Sequence, residues 1–95
     1  LYPTPFSPDL TAAAEPRGVD PRFLLAIMRQ ESRFRPEAKS NAAARGLMQF
    51  IPETSAEIAR SLELTAFDQD DLYEPRVSVL LGAQYVAGLM RSVPG

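Results

Sequence analysis

The placement of proline is the feature that most restricts the fold of this sequence. Four of the nine prolines stand where a helix can begin, because proline has no amide hydrogen to lose there and its φ angle already suits a helix. These starts are Ser7-Pro8, Asp20-Pro21, Pro52 and Glu74-Pro75. No segment shows the two-residue alternation of a half-buried strand. The sequence therefore predicts an almost all-helical chain.

Four helices are predicted, with bounds of about 7–16, 21–34, 52–64 and 75–92. Pro16 closes the first helix, and Pro36 disfavours helical dihedrals at Arg35, the residue before it. Thr54 and Glu57 offer a capping box as an alternative start for the third helix. The small and polar residues 39–46 predict a loop, and the acidic residues 67–73 predict a connector.

Missing residue types exclude most catalytic chemistries. The chain has no His and no Cys, which excludes Ser-His-Asp and Cys-His catalysis, Cys/His zinc sites and disulfides. A single lysine and the lack of a phosphate-cradling glycine loop argue against nucleotide chemistry. We therefore expect no metal and no cofactor. Asp and Glu remain as the acid–base groups.

Length and hydropathy indicate one small domain. Ninety-five residues suffice for a single core and leave no room for a second, so residues 1–95 are predicted to form one small domain. No apolar run is long enough for a transmembrane helix. Leu1–Leu10 has three prolines and no basic residue, which is not typical of a signal peptide.

Charge is distributed unevenly although the net charge is only −2. Residues 17–45 hold seven basic and three acidic side chains, whereas residues 53–74 hold seven acidic side chains and one arginine. The positive half could attract an anionic polymer, but the solvated faces of two surface helices are the favoured explanation of the pattern. Nucleic acid is not an expected partner, because the total is acidic and no aromatics interleave with the arginines.

One acidic residue stands on the unexpected side of the second predicted helix. At about 100° per residue, Glu31 falls between Ile27 and Leu24 in the apolar arc, opposite the arginines. A carboxylate that faces a core loses hydration, which raises its pKa and suits a general acid. Two structural explanations stay open: Glu31 could reach a buried arginine or cap a neighbouring helix.

The residues after Glu31 form a recognisable pattern. They read Glu31-Ser32-Arg33-Phe34-Arg35-Pro36, then Ser40, then Gly46-Leu47-Met48-Gln49-Phe50-Ile51-Pro52-Glu53-Thr54. This resembles the signature of the soluble lytic transglycosylase family, E-S-x-F-x-P, a serine-containing loop and G-L-M-Q-x-M-P-x-T. The segments 18–21, 71–75 and 81–85 resemble that family as well, so the similarity covers about Pro3 to Met90.

The resemblance implies a mostly α-helical, lysozyme-like fold, the fold of goose-type lysozyme and SLT domains. It also implies an enzyme of the bacterial cell envelope, periplasmic or extracellular, that acts on peptidoglycan glycan strands. Such an enzyme cleaves the MurNAc–GlcNAc β-1,4 bond without water and leaves 1,6-anhydromuramoyl ends. The matching glutamate, Glu31, would be its single acid and base. Ordinary glycosidases use two carboxylates, and Glu37 and Asp20 stay open as a second acid.

The resemblance further implies five substrate-binding residues. Ser40 matches a serine that hydrogen-bonds sugar or carboxyl, although a loop serine is the alternative. Gln49 matches a groove glutamine whose amide binds acetamido groups, with an ordinary surface role as its alternative. Gly46 would permit a tight turn or a close approach to sugar. Ile51 would form an apolar wall, and Met48 would contribute to the groove or, more in keeping with its neighbours Leu47 and Phe50, to the core.

The chain departs from the family pattern at several positions. It has Ala43-Ala44 where glycine often precedes alanine, Ile51 where methionine is usual, and Ser78 where asparagine is common. The family continues with a Tyr-Asn-Ala-Gly motif whose tyrosine reaches the catalytic glutamate, and Tyr85 is not that tyrosine. We therefore expect a domain truncated at its C-terminus, from a parent protein with room for further domains. A lysozyme-like muramidase and a catalytically incomplete peptidoglycan-binding module are the alternative functions.

Overall fold

The computed structural model describes residues 7–92. Two predictions concern residues outside this range. One is the helix stop at Pro94-Gly95, and the other concerns most of Leu1–Leu10, the segment that is not typical of a signal peptide. Within residues 7–92 the helices are α1 (Ser7–Ala14), α2 (Pro21–Ser32), α3 (Pro52–Ser61) and α4 (Pro75–Ser92), and 3-10 helices cover Glu15–Arg17 and Gln69–Tyr73. No strand occurs among these residues, only isolated bridges at Arg45. The prediction of an almost all-helical chain is confirmed.

The prolines mark the helix starts as predicted. Asp20 caps α2, because its carboxylate accepts a hydrogen bond of 2.9 Å from the backbone N–H of Arg22, and Pro21 follows in the first turn. α3 begins at Pro52 without a side-chain cap. The alternative start at Thr54 is therefore wrong, since proline at the first position already provides the helical φ angle.

The helix ends are less well predicted than the starts. α2 ends at Ser32, two residues early, because Arg33 and Phe34 adopt left-handed φ angles of 54° and 62°. α3 ends at Ser61 rather than Leu64, and Glu63 has a φ of 58°. The acidic connector contains a 3-10 helix with a capping box between Asp68 and Asp71. None of the left-handed positions just named is a glycine, so the sequence contains no local signal that predicts a positive φ there.

The core lies between α1, α2 and the long helix α4. α4 packs against every other helix, and α1 makes its most extensive contact with it. The largest fully buried apolar side chains come from α1, α2, α4, the segment before α3 and the second 3-10 helix: Leu10, Leu24, Met28, Leu47, Leu72, Val79 and Leu81. None of the helices within residues 7–92 has the length and apolar character that a membrane crossing requires.

The segment 38–50, called the 38–50 loop below, is held by close contacts against α4 and the 3-10 helix that precedes it. Gly46 has a φ of +82°, and a Cβ atom there would overlap the carbonyl oxygen of Leu72 and lie 2.5 Å from Ser78 Oγ. Met48, which follows Gly46 by two residues, packs on Gly82 of α4. A Cβ atom added at Gly82 would lie 2.7 Å from Met48 Cε. Small residues one helical turn apart on α4 therefore receive the loop.

We predict that Gly46→Ala lowers the free energy of unfolding by about 3 kcal/mol, because it combines a left-handed backbone with an overlap that the packed core cannot relieve. Gly18→Ala is the matched control: Gly18 also has a positive φ of +67° but no heavy atom within 4 Å of the added Cβ. That control should lose only about 1 kcal/mol. Urea unfolding of both variants checks the difference, and equal losses would contradict the contact.

Candidate active site

Glu31 lies in the last turn of α2, where the helix is about to end. Its side chain is exposed and lines a groove of about 320 Å³ together with Phe23 and Ile27 from the same helix. The next residue, Ser32, is buried, and its hydroxyl donates to the carbonyl of Met28 at 3.0 Å. The end of α2 thus fixes the backbone of Glu31 while its carboxylate points into the groove.

The expectation that Glu31 loses hydration in a core is wrong. The apolar arc of α2 has two parts: Leu24 and Met28 are buried, whereas Phe23 is 55% exposed and Ile27 is only partly buried. Glu31 stands with the second part, beside apolar side chains that line a groove. Neither structural explanation applies within the described residues, since Glu31 makes no ion pair and no side-chain hydrogen bond there.

The opposite wall of the groove comes from the end of the 38–50 loop, from the residue that follows it, and from α4. Gln49, Phe50 and Ile51 line it beside Tyr85 and Leu89. The rings of Phe50 and Tyr85 meet edge to face, with centroids 5.6 Å apart and planes at 74°. This is a favoured arrangement that fixes the Tyr85 ring while leaving 41% of the residue exposed.

Tyr85 is one of several groove residues, with Thr54, Val86 and Leu89, that the sequence did not predict as site residues. The sequence comparison says of Tyr85 only that it is not the tyrosine of the family's Tyr-Asn-Ala-Gly motif. The available signal was an aromatic residue four positions before Leu89, on a helix with more apolar residues than one buried face needs. That signal indicates a second apolar face, but it does not indicate which element lies opposite.

Gln49 lines the groove, but its amide group also braces the loop. Its nitrogen donates to the carbonyl oxygens of Ala38 at 3.0 Å and Gly46 at 2.8 Å. Two carbonyl acceptors fix the orientation of the amide, because the reverse orientation would set oxygen against oxygen. Both N–H groups are thus used within the loop, and Oε1 is the atom left for a ligand.

The other predicted binding residues divide into two groups. Ile51 and Met48 line the groove, although Met48 is nearly fully buried. Ser40 and Gly46 do not line it. The Ser40 hydroxyl accepts hydrogen bonds of 3.2 Å from the N–H groups of Ala42 and Ala44, as a loop serine does. The tight turn expected at Gly46 is present, and its close approach is to Leu72 and Ser78.

Neither candidate for a second acid lies in the groove. Glu37 is exposed on the loop, and it is not among the lining residues. Asp20 is at the other end of α2, where the hydrogen bonds from Arg22 hold the pKa of that carboxyl below its usual value. Glu31 is the only carboxylate among the groove residues that the structure describes.

The basic and acidic stretches of the sequence meet in one ion pair among the described residues. Arg45, from the basic stretch, lies 3.4 Å from Asp70, from the acidic stretch, so the loop and the second 3-10 helix attract each other. The arginines on the far side of α2, Arg29 and Arg33, are exposed. Among residues 7–92, no group of three or more Asp or Glu is placed to hold a metal ion.

Known proteins resemble this chain over nearly its whole length. Residues 10–95 match the model of the family described as the transglycosylase SLT domain. A provisionally named soluble lytic murein transglycosylase of Haemophilus influenzae is 36% identical over 92 residues, which are 97% of this chain and 16% of that protein. The membrane-bound lytic murein transglycosylase C of Actinobacillus pleuropneumoniae is 36% identical over 84 residues, 86% of this chain and 23% of that protein.

A solved structure agrees with these relatives. An inactive Glu-to-Gln variant of the lytic transglycosylase Slt from Pseudomonas aeruginosa superposes with a TM-score of 0.87 at 32% identity. The superposition covers 96% of this chain and 15% of that protein. The chain thus spans less than a quarter of the length of each of these three proteins.

We predict that Gln49→Glu lowers the free energy of unfolding by about 2 kcal/mol at neutral pH, because a carboxylate would face the carbonyls of Ala38 and Gly46 in place of a donor. Gln30→Glu, on the exposed face of α2, is the control and should change stability by less than about 0.5 kcal/mol. Urea unfolding at pH 7 and pH 3.5 measures both. The loss should shrink at the lower pH, where the protonated side chain can again donate. A loss of unfolding free energy that is the same at both pH values would contradict a stabilising role for the Gln49 hydrogen bonds to Ala38 and Gly46.

Proposed function

Because the chain belongs to the transglycosylase SLT domain family, we propose that it forms the acid-bearing part of a peptidoglycan lytic transglycosylase. Its fold is the mostly helical, lysozyme-like fold predicted from the sequence. The proposed reaction is the non-hydrolytic cleavage of the MurNAc–GlcNAc β-1,4 bond, with Glu31 as its single acid and base. The proposal extends to residues 1–95 as part of one catalytic domain.

The number of carboxylates in the groove carries this proposal. A glycosidase that uses water or an enzyme nucleophile needs two carboxyl groups on opposite sides of the sugar. Among the described groove residues Glu31 is the only one, and the rest of the lining is mostly apolar. A reaction whose attacking oxygen belongs to the substrate needs only one. The groove therefore favours a lyase over a muramidase that would use Glu37.

A single carboxyl group at Glu31 can perform both steps of that reaction. The neutral carboxyl first donates its proton to the glycosidic oxygen, and the bond from that oxygen to C1 of MurNAc breaks. The resulting carboxylate then takes the proton of the MurNAc 6-hydroxyl, whose oxygen bonds to C1 and closes the 1,6-anhydro ring. Glu31 ends protonated, as it began, and no water is consumed.

Gln49 and Ile51 are proposed as the substrate contacts beside Glu31. Because both N–H groups of Gln49 are held by the loop, its Oε1 can only accept a hydrogen bond. It therefore suits the N–H of an acetamido group rather than the C=O. Ile51, which is 39% exposed, offers an apolar surface to a sugar face. Ser40 and Gly46 would act through the shape of the loop, and Met48 through the groove floor.

Substrate and location are proposed from the relatives. The relatives named above are soluble or membrane-bound murein transglycosylases, so peptidoglycan strands in the bacterial cell envelope are the proposed substrate. Since the chain spans only part of their length, further domains are proposed for the parent protein.

We predict that Glu31→Gln in the full-length natural protein abolishes release of anhydromuramoyl products, lowering the rate at least about 1,000-fold, because an amide neither gives nor takes the proton. Glu37→Gln is the control and should leave the rate within about twofold, since Glu37 lies outside the groove. Mass spectrometry of digested peptidoglycan detects the products. Reducing ends in place of anhydro ends would refute the lyase mechanism, and binding without turnover by the unsubstituted protein would favour a binding module.

A further inference from the structure

The far side of α2 carries a hollow that is separate from the groove. It has a volume of about 740 Å³, and we call the residues that line it the back face of α2: Ala26, Arg29, Gln30, Arg33 and Phe34. None of them lines the groove that contains Glu31. Arg29 precedes Glu31 by two residues, which places it about 160° away around the helix axis. The helix therefore presents an acid on one side and a basic surface on the other.

The positive charges of the back face are not neutralised within the described part of the chain. Arg29 and Arg33 are exposed, and neither takes part in an ion pair within 4.0 Å among residues 7–92. Arg22, nearer the start of α2, differs from them because it is paired with Asp20 at 2.8 Å. The guanidinium groups of the back face are thus available to an external partner.

Arg33 occupies its position at a conformational cost. It is the C-cap of α2 and has a left-handed φ of 54°, a conformation in which glycine is less strained than arginine. A positive charge near the end of a helix stabilises the helix dipole, and Arg29 in the last turn already provides one. The dipole of α2 therefore does not require a second arginine at position 33.

We propose that the back face of α2 binds the headgroup phosphates of a membrane surface that contains anionic phospholipids. Arginine suits this partner, because its planar guanidinium donates two parallel hydrogen bonds to a phosphate. Arg29 and Arg33 are about one helical turn apart, with roughly 6 Å between their Cβ atoms, so they can engage neighbouring headgroups at the same time. The proposal does not depend on the lyase reaction.

The expected strength of this contact defines its role. Each arginine near an anionic membrane surface strengthens association by about fivefold, so the pair contributes about 25-fold. Stable anchoring to a membrane requires more than that. The back face therefore orients a domain that is already close to the membrane, and it does not anchor the domain by itself.

The construction of the back face favours an extended surface over a single bound anion. The hollow is formed by one helix and the residues that follow it, and its polar side chains, Arg29, Gln30 and Arg33, are all exposed. A site for a small anion is a concave pocket with polar groups that converge from its walls. The side of a helix instead lies along a flat surface, where basic side chains reach several headgroups.

The orientation that follows leaves the groove open. With headgroups against the back face, Glu31 is on the opposite side of a helix that is about 10 Å across. The groove then faces away from the membrane. That separation is about one Debye length at physiological ionic strength, so the negative potential of the membrane surface is weakened at the Glu31 carboxyl.

Vesicle binding by the full-length natural protein tests the proposal. One set of vesicles consists of phosphatidylcholine, and the other contains about one third phosphatidylglycerol. The readout is the ratio of the two affinities, measured by flotation at about 0.05 M salt. Arg29→Gln and Arg33→Gln should each lower this ratio by about 3- to 5-fold, and the double variant by at least about 10-fold. At about 0.5 M salt the preference of the unsubstituted protein for anionic vesicles should disappear.

Matched controls separate the position of the charges from their number. The double variant Arg60→Gln/Arg76→Gln removes two exposed positive charges from α3 and α4, outside the back face. It should leave the affinity ratio within about twofold. Replacing Arg29 and Arg33 by Lys keeps both charges and should retain most of the preference. Urea unfolding of each variant reports a helix-dipole effect, which changes stability but not the affinity ratio.

Several results would overturn the membrane contact. An unsubstituted protein without a preference for anionic vesicles, or a preference that the α2 variants leave unchanged, would reduce the back face to a solvated helix surface. An equal loss in the Arg60→Gln/Arg76→Gln control would reduce the effect to net charge. Competition by inorganic phosphate at constant ionic strength would indicate a discrete anion site, and tighter binding to soluble polyphosphate than to vesicles would indicate a polymer. An oligomer that dissociates in the α2 double variant would assign the back face to a second copy.

The same variants keep this inference separate from the proposed function. Neither Arg29 nor Arg33 lines the groove, so their Gln variants should release anhydromuramoyl products from soluble glycan strands within about twofold of the unsubstituted rate. Absence of those products with the unsubstituted protein would refute the proposed function and leave the vesicle result unaffected.

Discussion

The close approach of Gly46 to the Leu72 carbonyl and to Ser78 on α4 is the contact on which the rest of the groove depends. The backbone of the 38–50 loop lies against the Leu72 carbonyl and Ser78, and the Ser78 hydroxyl donates to the same carbonyl at 2.6 Å. Any larger residue at position 46 would lift the loop away from α4. Met48, Gln49 and Ile51 would then move with it, and the groove wall opposite Glu31 would lose its position. The main chain of the loop, more than any single groove side chain, sets the width of the site.

The helical projection of α2 predicts correctly to which side of the helix Glu31 points, but it predicts wrongly that this side is buried. It placed Phe23, Ile27 and Glu31 on one side, and these three side chains do line one groove. It could not distinguish a buried surface from an open one, because both are lined by apolar residues and a period of 3.6 reports only the side. Leu24 and Met28 meet the core. The residues less than half a turn away around the helix meet solvent, so the hydration of Glu31 was mispredicted while its orientation was not.

Helix starts and the signature could be read from the sequence, whereas the loop geometry could not. Proline and a capping aspartate act locally, so their effects are legible from neighbouring residues. Gln49 has a φ of 52° and holds two carbonyls of its own loop. No local preference favours that conformation, because a non-glycine residue takes it only when the surrounding packing requires it. The role of Ser40 in the loop and the place of Tyr85 in the groove depend on tertiary contacts in the same way.

A single exposed carboxylate in an apolar groove has a consequence for how the acid is kept neutral. Enzymes with two carboxylates can use the repulsion between them to hold a proton on one. Glu31 has no such neighbour among the described groove residues, and the fold leaves it in contact with solvent. On the proposed function, a sugar against Phe23 and Ile51 would displace the solvent beside the carboxyl, and removal of water disfavours the charged form of a carboxyl group. The glycan would thereby contribute to the environment of the acid.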